Sequence, residues 1–235
     1  MTPLTEHFGG HLRELRQRLV ISLLTLVVVT GISYLFVEHI VRFLIAPLFH
    51  SCPNLTSLVY TRLTEAFVSY LKVALFAGFF FSFPVLLFQA WRFVAPGLLA
   101  NEKRLAFKIV FWATSLFLAG GLFAYFIALP RMLSFFMGFA GDWLLPMPKL
   151  DGYLTFIART VLAFGLAFEI PFLMMAAVKT NLVAKDRFVK QRWLFYLAIF
   201  GLAFLLVAGD VFAAVLLGIP LIGLYEAGIL VTRFF

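Results

Sequence analysis

The chain has 235 residues, 63% of them hydrophobic and 13% charged, with a mean hydropathy of +1.04. A soluble domain carries roughly 25% charged residues, so this composition excludes a water-soluble globular protein and places the chain in a bilayer. The formal net charge of +8 on so apolar a chain is a topology signal, not a nucleic-acid footprint. Apolar runs at 19–36, 67–90, 107–129, 154–178, 193–207 and 212–231 predict an all-α integral membrane protein with six kinked transmembrane helices in one domain, 1–235.

Ahead of the first run, Leu12, Leu15 and Leu19 recur at i, i+3 and i+7. This spacing predicts an amphipathic helix start from His11 along the membrane surface. Glu14 and Arg18 stand four residues apart in the favourable order, and an ordinary helix-surface ion pair is one account of Glu14. The run itself follows a basic segment with no small-residue cleavage pattern behind it, so it is expected to be a retained helix and not a removed signal peptide. The segment 38–65, with Pro47, Pro53 and the stretch VRFLIAP, reads as a cap in the interface. In the second run Lys72 can snorkel to water and Pro84 predicts a kink.

The connection WRFVAPGLLANEKR is broken by Pro96 and Gly97. Asn101 and Glu102 read there as an N-cap and a first-turn acid of the third helix. A second account takes Glu14 and Glu102 together: two carboxylates on a face otherwise rich in Arg and Lys suit a guanidinium ligand. The third run is expected to end at Pro130, and the segment 131–153, which mixes Phe, Met and Trp with Pro146 and Pro148, reads as a second interfacial cap.

The fourth run contains FGLAFEIP, with Glu169 inside an apolar stretch that meets its next charge at Lys179. An acid in that position costs several kcal/mol unless it faces protein or water, so Glu169 is expected to face inward, beside a kink at Pro171. The fifth run is only fifteen residues long before Ala208, Gly209 and Asp210, and the sixth carries Pro220. Fifteen residues rise about 22 Å against a hydrocarbon core of roughly 30 Å, which predicts a thinned bilayer beside these short helices.

Lys and Arg divide unequally between the connections. Arg13, Arg16, Arg18, Arg92, Lys103, Arg104, Lys179, Lys185, Arg187, Lys190, Arg192 and Arg233 fall on one side, against Arg42, Arg62, Arg131 and Lys149 on the other. The positive-inside rule then puts both termini in the cytoplasm. Cys52 has no mate for a disulfide. No phosphate loop, Cys/His metal cluster or Ser/His pair within a membrane helix is present, and His7, His11, His39 and His50 lie near the surface or in connections. The sequence thus offers no residues for an enzyme, a metal or another cofactor.

HLRELRQRL with Glu14, the Ala46–Leu48 triplet APL, WRFVAPGLLANEKR with Glu102, FGLAFEIP with Glu169 and GDVFAAVLLGIPLIGLYEAG with Asp210 and Glu226 together resemble the TatC family, the multi-span signal-peptide receptor of the twin-arginine protein translocase. The resemblance runs over essentially the whole chain. It implies a cytoplasmic site in which Glu14 and Glu102 receive the paired arginines of a signal peptide, with Arg16 and Phe93 on the same surface. It also implies a concave bundle capped by its outer loops, with Pro47 in the cap. Single-span partners of the TatA/TatB type would dock beside the fifth and sixth helices, where Asp210 and Glu226 have docking or structural roles. An oligomeric complex in the bacterial inner membrane would then export folded proteins, driven by the proton gradient. One departure is local: the family's common Thr-Pro-Pro-Asp turn and Ser-Gln pair are replaced by Val207, Ala208, Gly209, Asp210 and then Ala213, Ala214, which puts a polar docking spot there in question. The competing reading is a secondary transporter with a midplane site at Glu169, against which stands the lack of an internal repeat between the halves.

Overall fold

The structure is a computed structural model that describes residues 3–51, 55, 57–94, 103–138, 147–179, 183–206 and 211–234. With no water in a bilayer core, each apolar run must satisfy its backbone internally, and each forms a helix. In chain order these are α1 Pro3–Leu35, α2 Val37–Ser51, α3 Glu65–Val94, α4 Lys103–Phe123, α5 Leu129–Gly138, α6 Leu150–Lys179, α7 Lys185–Lys190, α8 Arg192–Leu206 and α9 Val211–Phe234. Five stretches are long and apolar enough to span a bilayer: Leu12–Leu35, Glu65–Phe93, Phe107–Gly138, Leu150–Val178 and Val211–Thr232. α8, at 15 residues, is the short fifth crossing in chain order, and α9 carries the shortest of the five long spans at 22 residues. Among the described residues there is no strand, only an isolated parallel bridge between Val59 and Lys149.

Two boundaries differ from the sequence expectation. The cap segment after the first span is mostly the helix α2, which holds Pro47 in its interior. The third span runs past Pro130 to Gly138 through a π-helical turn at Ala124–Ala128. In that turn the Leu129 N–H donates to the carbonyl of Ala124, five residues back. Proline has no N–H to give, and widening the ladder by one residue just before Pro130 lets the helix continue.

The chain forms two compact units. Met1–Val37 and Leu71–Ser115 make the first, Glu38–Tyr70 and Leu116–Phe235 the second. In the first, α1 and α3 meet where Gly78 lies against Thr30, so closely that any Cβ at Gly78 would collide with the threonine side chain. Van der Waals packing of small residues is how helices approach in lipid, where no hydrophobic force drives them together. The outward faces of α1, such as Leu23 and Val27, stay exposed to lipid.

The second unit holds the main core. Phe117, Phe164, Ile157, Leu217, Leu221, Tyr225 and Ile229 are all at most 1–2% exposed. α4 and α6 cross in near backbone contact: a Cβ at Gly165 would sit 2.7 Å from the Phe117 ring, and one at Gly120 would strike the Phe164 carbonyl. α9 lies on α6 at Gly228, where a Cβ would come within 2.6 Å of the Met174 sulfur and 3.1 Å of Pro171 Cα. At the far end of this unit, the hydroxyls of Tyr125 and Tyr153 donate to the α2 carbonyls of Phe43 (2.6 Å) and Leu44 (3.1 Å). The Tyr125 ring also stacks on Phe43 at 4.2 Å. Val59 N–H bonds Pro148 O and Leu150 N–H bonds Val59 O, at 3.2 and 3.0 Å, so two chain segments remote in sequence close over the helix ends as one cap.

Candidate functional site

Glu14 lies on α1, half-buried, and its carboxylate accepts a hydrogen bond from Arg18 Nη2 one turn on. The guanidinium is the more enclosed partner: the Arg18 side chain is 13% exposed against 35% for Glu14. Arg18 Nη1 is buried with no hydrogen-bond partner, leaving a charged donor half satisfied. Arg13, Arg16 and Gln17 are exposed around the pair. Phe93, half-buried, ends the apolar part of α3, preceded by Arg92, whose guanidinium carbon stands 5.7 Å from the Phe88 ring centroid.

α1 and this part of α3 belong to the same compact unit, fixed together at Thr30 and Gly78. From Thr30 back to Glu14 is about 24 Å of helix, and from Gly78 on to Phe93 about 22 Å, at 1.5 Å per residue. Glu14 and Phe93 thus lie at similar distances along their helices from that contact. Glu102 and Asp210 lie outside the described residues. α4 begins at Lys103, directly after Glu102 in the chain.

Glu169 faces inward as expected. It is 5% exposed on α6, and its Oε1 has no hydrogen-bond partner. Apolar side chains of Phe164 and Ala167 lie on the same helix, fully or nearly buried. An acid so placed marks functional or strained positions in membrane proteins more often than inert ones. Pro47 is buried in α2 beside the fully buried Leu48, so it belongs to the cap's packing.

Glu226 is held from within the chain. It accepts from the Tyr196 hydroxyl, and Arg192 Nη2 lies 3.5 Å from its other oxygen. Next to it the buried Tyr225 donates to the Phe188 carbonyl of α7 at 2.8 Å and stacks on Phe195 at 5.0 Å. The acid thus ties α8 to α9 while its neighbour ties α7 to the same place. Tyr196, Arg192 and Tyr225 escape sequence reasoning because their partners lie some thirty residues away, on other helices. The same holds for Ser69 of α3, whose hydroxyl lies 3.2 Å from the carboxylate of Asp151. No group of three or more His, Cys, Asp or Glu gathers as a metal site among the described residues.

Comparison with known proteins agrees with this architecture. The family model described as TatC, Sec-independent protein translocase protein, matches residues 10–220. The Sec-independent protein translocase protein TatC of Desulforapulum autotrophicum is 38% identical over 234 residues, spanning 100% of this chain and 85% of that one. Its counterpart in Aquifex aeolicus is 37% identical over 233 residues, spanning 98% and 95%. A crystal structure of the twin-arginine translocase receptor TatC superposes with a TM-score of 0.87 at 36% identity, covering 95% of this chain and 98% of that one. Apolar spans and similarity over nearly the full length converge: this chain belongs to the TatC family, as a multi-span, non-enzymatic component of a Sec-independent protein translocase.

Proposed function

We propose that the chain is the receptor for twin-arginine signal peptides, with Glu14 and Glu102 accepting the two guanidinium groups and Arg16 and Phe93 completing the surface. The observation that carries this reading is the Glu14–Arg18 pair. Glu14 already binds an arginine fork, and the fork it binds is left with an unpartnered Nη1. A peptide arginine brings the same chemistry with a second carboxylate to meet it. Arg fits such a site because its planar donors match carboxylate geometry, whereas Lys offers one compact, strongly hydrated ammonium.

In this reading the Arg- and Lys-rich ends face the cytoplasm, so that both termini and the receptor surface lie on that side of a bacterial inner membrane. The six helices act as one membrane domain. Six helices about 10 Å across cannot enclose a pore for a folded protein. The passage must come from oligomerisation and from single-span TatA/TatB-type partners, with the proton gradient as the energy source. Glu169 serves as the polar group of an inward-facing groove.

Binding of Arg-Arg and Lys-Lys peptides to the purified protein tests the reading. Hydrogen bonds to charged groups contribute about 1.5–3 kcal/mol, so Glu14→Gln or Glu102→Gln should lower Arg-Arg affinity about tenfold or more. The double variant should lose less than the product of the two, since both acids act on one ligand. Equal affinity for the two peptides in the unaltered protein, or full affinity in both single variants, would remove the receptor site.

A further inference from the structure

A cavity of about 350 Å³ opens in the second unit, where α5, α6 and α9 end beneath the cap. Leu48, Leu133, Phe136 and Phe156 give it apolar walls, and Lys149 is the one charged residue among the described residues that line it. Its width has a sequence cause. Gly152 lines the cavity and a Cβ there would meet nothing within 4 Å, while Ala213 on the opposite helix is the smallest side chain that still packs. Larger residues at these two positions would close the space.

Among the described residues, polar groups of the wall other than the Lys149 ammonium are already engaged. The Tyr153 hydroxyl donates to Leu44 O. Pro148 O accepts from Val59, and Lys149 O accepts from the Tyr153 amide. No carboxylate among the described residues forms an ion pair with the Lys149 ammonium. Lys149 immediately precedes the span Leu150–Val178, so it stands at the depth where hydrocarbon gives way to headgroups. An apolar cavity beside a cation at the end of a span, with no ion-pair partner for that cation among the described residues, has the chemistry of a lipid site.

We propose that this cavity binds one anionic phospholipid of the adjoining leaflet, with an acyl chain along Leu133, Phe136 and Phe156 and the phosphodiester on Lys149. The site is distinct from the receptor surface, and its existence does not depend on signal-peptide binding. Native mass spectrometry of the full chain, released from detergent after incubation with phosphatidylglycerol or with phosphatidylcholine of the same chains, tests it. The unaltered protein should retain one phosphatidylglycerol, and about fivefold less phosphatidylcholine, the ratio expected for one cation at a membrane surface. Lys149→Gln should reduce phosphatidylglycerol to the phosphatidylcholine level, Gly152→Leu should abolish retention of both, and excess inorganic phosphate should displace neither. Three results would overturn the proposal: equal retention of the two lipids by the unaltered protein, undiminished retention in Gly152→Leu, or self-association that fills the cavity in place of lipid and disappears in Gly152→Leu.

Discussion

Arg18 and Glu169 each carry a buried polar atom without a partner. In the proposed receptor site Arg18 would compete with an incoming guanidinium for Glu14. Partly exposed ion pairs contribute about 0.2–1 kcal/mol, so Arg18→Gln should raise affinity for an Arg-Arg peptide about two- to fivefold. An unchanged or weakened affinity in titration calorimetry would show that Arg18 assists the site instead of occupying it. At Glu169 an unpaired carboxylate oxygen is costly to bury dry, and the proposed groove would bring water to it. In a Cys52→Ala background, Glu169→Cys should react with a membrane-impermeant thiol reagent. A folded variant that stays wholly unreactive would count against the groove. Both acids stood out in the sequence, one by its place in an apolar run and the other by its place on a basic face. The Arg18 partner of Glu14 was legible in the i,i+4 spacing and is found there, whereas the surroundings of Glu169 were not, because they come from other helices.

Helix crossings depend on where glycine permits contact. Gly120, Gly165 and Gly228 each face a neighbour at a distance no Cβ tolerates, whereas Gly31 and Gly201 face open space. Overpacking a tight site costs about 1–3 kcal/mol. Gly165→Val should therefore lower the thermal midpoint of the detergent-solubilised protein by several degrees, and Gly31→Ala should leave it nearly unchanged. Equal midpoints would mean that α4 and α6 separate at no cost. The sequence distinguishes none of these glycines from one another. Apolar length was legible, and the helices match it within a few residues, because a bilayer leaves the backbone no other choice. The continuation through Pro130 was not, because a proline normally ends a helix and the π turn that rescues this one is set by packing of Ala124 and Tyr125 in the core. The closure of the cap was equally hidden, since Val59 and Lys149 meet through backbone atoms that carry no residue signature.

For the molecule as a whole, the bilayer is the solvent to which every element is fitted, and α8 fits it worst. Its 15 residues rise about 22 Å, while a typical hydrocarbon core is roughly 30 Å thick. α9 packs against α8, and the acid Glu226 with Tyr196 and Arg192 fixes the two at one end. They cannot tilt or slide independently to share the mismatch. The mismatch predicts a thinner bilayer beside them, at a cost of fractions of a kcal/mol per Å, or a covered outer turn. The shortness of α8 was readable in the sequence from the fifteen-residue run before Ala208, although the Tyr196–Glu226 contact that ties it to α9 was not. If export works through the thinned membrane, adding about four Leu-rich residues to both α8 and α9 should restore about 6 Å of length and relieve the mismatch. The variant should insert normally, bind Arg-Arg peptides as before, and lose most of its transport of a folded reporter into membrane vesicles. Full transport with both helices lengthened would show that the short crossing is tolerated and not used.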